Sequence, residues 1–535
     1  MKKKIYIALS LVLAGMSFSS CNDFLDTMPD NRTTVDSEDK VKSILVSAYP
    51  DKTYALVTET MSDNVANIGD DNPNTSRFLD QVYAWKDINE TSNDSPERYW
   101  DAAYSAIANA NLALEGIDKL GGATTESLKE LKSEALLARA YNHFVLVNLF
   151  CKAYNPQTSN TDLGMAYVEA PLTTLKSDLP RGTVAEDYEK IDRDIQEALP
   201  TVGDGHLDQP KYHFNARAAY AFAARFYLYY EKWEEAVKYA DLCLGVQPKT
   251  LLRDWREVAG MTQTYAAVSQ YYIQSNLNCN LLLNTAVSQL GLTYSSYRNN
   301  GKYAHCRYIA NNEDAGASCA NIWGSAQLYA PLHTYTSASS DKAIFWKVPY
   351  LFEYTDQVSG IGYSRTVVPV LTTDECLLNR AEAYIMLKKY DKAAADLTLW
   401  MQNMVKTSMV LTPQNITDFY SKIAYSYTPT ESDPEGLKST IKKHLNPSFE
   451  IDAEGSTQES MLQCVLEFRR IETLHQGMRW FDIKRYGIEI PRITLNAAGN
   501  PEKRTDLLTK DDERRAIQLP QKVIDAGVVP NPRSK

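Results

Sequence analysis

Histidine is sparse in this chain, with seven in 535 residues, and none stands at the spacing of a zinc site. No two cysteines form Cys-x-x-Cys. There is no His-Glu-x-x-His segment, no glycine-rich phosphate loop and no Gly-x-Gly-x-x-Gly turn. These absences remove structural zinc, zinc hydrolases, nucleotide triphosphatases and dinucleotide oxidoreductases in turn. Gly316-Ala317-Ser318-Cys319-Ala320 comes nearest to a serine nucleophile elbow, but it ends in alanine and follows no clear strand. Asp70-Asp71-Asn72-Pro73-Asn74 has the composition of a calcium loop. Thr75 stands where that loop needs glycine and Gln81 where it needs glutamate, so the stretch reads as a turn. Carboxylates are plentiful, which leaves a pair for glycoside hydrolysis open, yet no pair is singled out. No catalytic residue, metal or cofactor is expected.

Positive charge is also short. The net charge is −11, and it becomes −14 without the three lysines of the first twenty residues. Such a chain repels phosphate backbones, so nucleic acid is not an expected partner. Long apolar runs are missing except for one. Lys2, Lys3 and Lys4 precede an apolar stretch from Ile5 to Gly15. It is far shorter than the ~20 residues of a membrane span and reads as a secretory signal over 1–20. Phe18-Ser19-Ser20-Cys21 resembles a bacterial lipobox, with Phe18 where leucine is usual. Diacylation of Cys21 would supply the two chains that stable anchoring requires. Asn22-Asp23-Phe24-Leu25-Asp26 resembles the acidic tag that sends lipoproteins to the outer surface. The expected location is the outer membrane, lipid-anchored and facing outward. Seven cysteines remain. Several fall on apolar helix faces, and spacing alone leaves a Cys306–Cys319 pairing open.

Tyrosine is the surplus: 34, against 14 Phe and 8 Trp. Many fall at helical spacing. Tyr99, Ala103, Ala106, Ala110 and Leu114 mark one helix face, and Leu131, Ala135, Ala138, Tyr141 and Val145 another. Tyr220, Ala223, Ala224, Tyr227, Ala236, Ala240 and Pro248 occupy tetratricopeptide positions, with Pro248 expected to stop the second helix. A second copy fills Ala381, Tyr384, Tyr390, Ala393 and Leu397. The stretch between the copies is rich in Tyr, Asn, Ser and Gly and lacks helical period. It reads as an inserted irregular lobe with short strands at Ala343–Trp346 and Thr366–Leu371. The expected fold is mainly α. A tetratricopeptide-like helix-pair body carries a loop-rich insert that contains short strands. The expected division is 21–96 lipidated segment and loops, 97–249 repeat body, 250–373 lobe, and 374–535 repeat body with a C-terminal motif region.

Three stretches carry a family resemblance: Cys21 to Asp26 with Pro29; Pro369 to Ile385; and, most specific, Glu467 to Gly487. In the last, Arg469, Arg470, Glu472, Gly477, Arg479, Trp480, Phe481, Asp482, Arg485 and Gly487 fit the pattern of SusD/RagB-type nutrient-binding lipoproteins. Gln476 and Tyr486 replace the usual Glu and Trp. The tail resembles the family's closing segment only in part, since Gln518 replaces a proline and the final Gly-Tyr is missing. On the residues alone, the Glu467–Gly487 stretch reads as a structural clamp, its charges paired with neighbouring helices and Trp480 and Phe481 buried. The resemblance implies a SusD-like fold. It also implies a lid role on a SusC-like TonB-dependent transporter, with capture of oligosaccharides, or in some members peptides. A surface glycoside hydrolase and a protein-binding scaffold are the other readings.

In that family, ligand residues lie on loops ahead of the first helix pair and in the inserted lobe. This resemblance places candidates by region. The first region, Asp70 to Trp85, offers Asp71, Asn74, Arg77, Tyr83 and Trp85, and the second, Tyr294 to Tyr335, offers Tyr303, Arg307, Tyr308, Trp323 and Tyr329. Trp85 and Trp323 are expected to stack on the ligand, while Asp71 and Arg77 bond its hydroxyls.

Overall fold

The computed structural model describes residues 35–533 except 70, 71, 73, 75, 172–179, 298, 300, 338 and 339. The signal segment, Cys21 and Asp71 lie outside the described residues.

Helix starts are encoded by oxygen-bearing caps. Ser95, Thr125, Asn215, Thr372 and Ser456 each accept a backbone N–H from the first turn of the helix they precede. Those helices are Pro96–Lys119, Glu126–Phe150, Ala216–Tyr229, Thr373–Met386 and Thr457–Glu472. Each cap satisfies a donor that the helix leaves unpaired. Thr183 and Glu186 form a reciprocal capping box on Val184–Ala198. Alanines at the helix contacts are buried, Ala103 and Ala110 on one helix and Ala135 and Ala138 on the next.

The two repeats appear as Ala216–Tyr229 with Trp233–Leu244, and Thr373–Met386 with Tyr390–Met404. Both use the same interhelical turn, with Glu231 and Lys388 at φ 61° and 55°. Pro248 does not stop its helix, contrary to expectation. The helix ends at Leu244, where Gly245 takes φ 62°, and Pro248 opens a separate 3-10 turn. Glycine adopts that conformation freely, so it is the terminator. The copies are neighbours in space despite the insertion: Trp233–Leu244 packs on Thr373–Met386. Arg380 bonds Asp396 of its own repeat at 2.7 and 2.8 Å and Asp241 of the other at 2.8 Å.

The body is mainly helical and the insert irregular with short strands, as the sequence implies. Strand β1 is Ala66–Asn67, β2 Asn280–Val287, β3 Tyr303–Ala304, β4 His333–Ser337, β5 Ser340–Ile344, β6 Leu351–Asp356 and β7 Ile361–Thr372. Strands β2, β7 and β6 form one antiparallel sheet, and β4 and β5 a hairpin. A C-terminal hairpin, β8 (Ile490–Leu495) and β9 (Pro501–Leu508), was not anticipated. It completes a sheet ordered β3-β1-β8-β9 from three distant parts of the chain. All seven described cysteines are free and buried, so Cys306 and Cys319 do not pair.

The Glu467–Gly487 stretch is a clamp of buried charges. Arg469 donates to both oxygens of Asp482 at 3.0 and 2.9 Å and also to Glu382. Glu382 further accepts from Arg485 at 2.6 Å and from the Tyr486 hydroxyl at 2.7 Å. Glu472 departs from the expected ion pairing, since its carboxylate accepts the Trp400 indole N–H at 2.9 Å. Trp480 and Phe481 are buried. Gly477 sits at φ 77°, where a Cβ would lie 2.2 Å from Thr58 Oγ1.

Burial raises the Glu382 carboxyl, but the Arg469 and Arg485 charges outweigh it and hold the group at about 2. A depressed pKa gives stability that is present above the unfolded value of about 4.3 and lost as pH falls towards 2. Glu382→Ala leaves the buried Arg485 guanidinium without its short carboxylate bond and removes one partner of Arg469, and is expected to destabilise the protein by about 3–5 kcal/mol. Glu382→Gln is expected to flatten the acid limb of the stability curve. Urea unfolding followed by circular dichroism from pH 2.5 to 7 checks both.

Candidate ligand-binding face

Strand pairing joins the two sequence regions. Ala66 pairs with Ala304 and Asn67 with Tyr303. Beyond the strands, Ile68 N–H donates to Lys302 O at 3.0 Å, and Lys302 N–H to Asn74 O at 3.2 Å. Strand β1 also pairs in parallel with β8, Asn67 opposite Thr494, which brings the 496–500 turn alongside. Gly69 follows at φ 129°, a conformation that side chains rarely adopt.

Three of the expected contact residues, Tyr83, Trp85 and Tyr303, support this surface from below. Tyr303 stacks on Tyr83 with ring centres 4.4 Å apart, and its hydroxyl donates to Asp80 at 2.6 Å. The Arg492 guanidinium lies 4.0 Å from the Tyr83 ring centre and 3.9 Å from that of Trp85. It donates to the carbonyls of Thr60, Met61, Ser62 and Tyr83. Burial pulls the Arg492 pKa down to about 10. Trp85 is 2% exposed, and its indole N–H donates to Met61 O at 2.9 Å. An aromatic ladder thus runs inward from Tyr303 to Trp85, and the Trp85 ring is packing rather than a stacking platform.

The remaining candidates separate. Trp323, 8% exposed, packs against Phe468 of the helical body at 5.8 Å, so its ring too is engaged with protein. Tyr329 accepts from Arg256 Nε at 3.1 Å, and its backbone N–H donates to Met404 O. These two lie where the lobe meets the repeats. The Tyr308 hydroxyl accepts from the Ser439 N–H at 3.0 Å. Arg77 is exposed and pairs with Glu90 at 2.9 Å, and Asn74 is exposed beside it in sequence.

Neither Tyr297, which is exposed, nor Tyr335, which is half-buried against the core, was among the expected contacts. Tyr297 is 48% exposed and stacks on Tyr335 at 5.3 Å with 26° between the planes. Tyr335 lies on β4 between exposed Thr334 and Thr336, opposite Lys342 of β5. At the start of β5, Asp341 accepts from Arg307 Nε at 3.0 Å and from its N–H at 3.2 Å. Asp341 also lies 3.4 Å from where a Cβ on Gly499 would stand, so the 496–500 turn reaches the same rim. Two flat rings can stack on an apolar ring face, whereas Asp341, paired with Thr336, and its partner Arg307 lie on the other face of the hairpin from Tyr335. Among the described residues, no group of three or more His, Cys, Asp and Glu side chains could hold a metal ion, and no helix is long and apolar enough to cross a membrane.

Helix pairs stacked around a long loop-built insert define a tetratricopeptide-like scaffold protein. Two family models divide this chain between them. A SusD-like model described as starch-binding associating with outer membrane matches residues 23–228. The SusD/RagB model, described as SusD family, matches residues 293–526. The chain belongs to the SusD/RagB family. Solved structures share its fold. A SusD superfamily protein from Bacteroides thetaiotaomicron is 17% identical with a TM-score of 0.56, covering 94% of this chain and 100% of its own. A SusD-like carbohydrate binding protein from Bacteroides vulgatus is 16% identical with a TM-score of 0.56, covering 92% and 96%. A laminarin binding SusD-like protein is 16% identical with a TM-score of 0.52, covering 93% and 99%. Comparison with curated proteins gives no match.

Truncating the inner end of the ladder removes a fully packed indole. Trp85→Ala is expected to lower stability by about 3–5 kcal/mol, read from denaturant unfolding.

Proposed function

We propose that this protein is a cell-surface lipoprotein that binds an oligosaccharide or polysaccharide and passes it to a SusC-like TonB-dependent transporter. Cys21 is its lipid attachment, the outer membrane its location, and no bond is broken during capture. The observation that carries the reading is the stacked pair of exposed Tyr297 and half-buried Tyr335 at the surface of the lobe. Tyrosine faces meet the C–H surface of a pyranose. Asn74 and Arg77 supply further polar groups from the facing loop, while Tyr83, Tyr303 and Trp85 hold that loop in place. Family membership supports this reading, as does the shared fold of the laminarin binding protein. A saccharide fits this surface because tyrosine rings and polar side chains are what it presents.

Calorimetric titration of the chain from residue 22, against plant, host and microbial glycans with peptides alongside, tests this. One glycan class is expected to bind saturably and without breakdown. Tyr297→Ala and Tyr335→Ala are each expected to weaken that binding roughly tenfold or more, and Tyr297→Ala, at the exposed ring, to leave the unfolding midpoint unaltered. Saturable binding by peptides alone would overturn the saccharide reading, and glycan cleavage would overturn the binding-protein reading.

A further inference from the structure

A second concavity, of about 650 Å3, lies between the end of helix Glu38–Leu45, strand β2 and the loop that precedes helix Ala216–Tyr229. None of its walls belongs to the ligand-binding face. Its floor is Glu134, a buried carboxylate on helix Glu126–Phe150. Three side chains converge on Glu134: the Tyr49 hydroxyl at 2.8 Å, His213 Nδ1 at 2.6 Å and His206 Nε2 at 2.7 Å. The other nitrogen of His206, Nδ1, lies 3.2 Å from Glu130 Oε2, which also accepts the His206 backbone N–H at 3.1 Å.

This arrangement dictates a charge state. Ionised carboxylates only accept hydrogen bonds, and a neutral imidazole donates from one nitrogen alone. Burial would raise the Glu134 carboxyl, but its bonds from His206 and His213 bring it to about 2, so it is ionised at neutral pH. An imidazole with a carboxylate at each nitrogen makes both bonds only as the cation. Neutral His206 would turn a lone pair towards one carboxylate, and an attraction would become a repulsion.

The loop is built to sit on these acids. A Cβ on Gly203 would lie 2.1 Å from Glu130 Oε1, and one on Gly205 3.0 Å from Glu130 Oε2. The same loop supplies Leu207, Asp208, Gln209, Tyr212 and His213 to the cavity wall. The charged and titratable groups around His206 are Glu130 and Glu134 from the helix below, Tyr49 from the facing turn, His213 from its own loop, and the Lys42–Asp208 pair at the rim, 2.9 Å apart.

We infer that His206 is a proton-operated latch, which as the cation pins the 203–213 loop against Glu130 and Glu134, and as the neutral ring releases that wall and opens the cavity. Burial works against the protonated ring, but hydrogen bonding and charge from Glu134 and Glu130 outweigh it and raise the His206 pKa. A raised value means the latch is fully engaged below the ordinary histidine range, near 6.5, and is lost as pH rises through the elevated value. Release therefore falls on the alkaline side of the normal histidine transition.

Hydrogen exchange of peptides covering 203–213, corrected for intrinsic rates and measured on the intact protein from pH 6 to 9, tests the latch. Protection is expected to fall about tenfold across that range in the wild type, the loss of one charge-assisted bond. Glu130→Gln is expected to move the fall to lower pH, and His206→Gln to leave protection low at every pH. Peptides of helix Thr373–Met386 serve as the unchanging control. Wild-type protection of 203–213 that is independent of pH would overturn the latch, as would a His206 imidazole titrating at or below the ordinary value by NMR. Both readouts use the wild type, so a variant that does not fold leaves the test intact.

Discussion

The candidate ligand-binding face depends on one buried carboxylate, that of Asp63. Arg479 grips both its oxygens at 2.8 and 2.9 Å, and Arg470 bonds its carbonyl at 2.8 Å. Arg470 and Lys443 also reach Glu313, at 2.9 and 2.5 Å. Three cations thus enclose two carboxylates in the interior. Buried ions cost several kcal/mol each to desolvate, so such a cluster persists only when every member is paired. The two carboxylates are well placed for building a site. Asp63 lies three residues before β1, and Glu313 closes the short helix that begins at Arg307. The segments they end are those that carry the loops of the face. Arg470 and Arg479, from the stretch most specific to the family, therefore fix the geometry of a surface they do not join.

The helical body was legible because its signal repeats. Small residues recur at helical spacing, and caps such as Ser95, Thr125 and Thr372 stand immediately before the periodic runs. The sheet β3-β1-β8-β9 was not legible. Strands β1 and β3 are two residues long, too short for any alternation to register. Pro491 and Pro501 stand in β8 and β9, where proline argues against a strand. Pro248 misled for a related reason: a proline near a helix end suggests a stop, yet Gly245 had already supplied the left-handed residue.

The aromatic residues show what composition cannot decide. Trp85, Tyr83 and Tyr303 sit in loop-like sequence beside polar residues, as ligand-stacking rings do. Their role turns on Arg492, more than 180 residues further along the chain than any of them, whose guanidinium fills the gap between two rings. Tyr297 and Tyr335 occupy equally unremarked sequence. They are set apart only because Tyr335 of β4 and Tyr297 meet near the surface, and that meeting follows from pairings made elsewhere. The family pattern pointed to these regions, but which of their rings pack inward is a property of tertiary packing.

The parallel pairing of Asn67 with Thr494 has a kinetic consequence. A strand of two residues has no partner of its own and stays unmade until its neighbours arrive. One of those neighbours emerges more than 400 residues later in synthesis. Closing so long a loop is slow, and contacts of such separation govern folding rate more than stability. The repeats can condense as they appear, whereas the candidate ligand face assembles only once the chain is complete. A partly translocated or truncated chain would thus carry its scaffold without its grip.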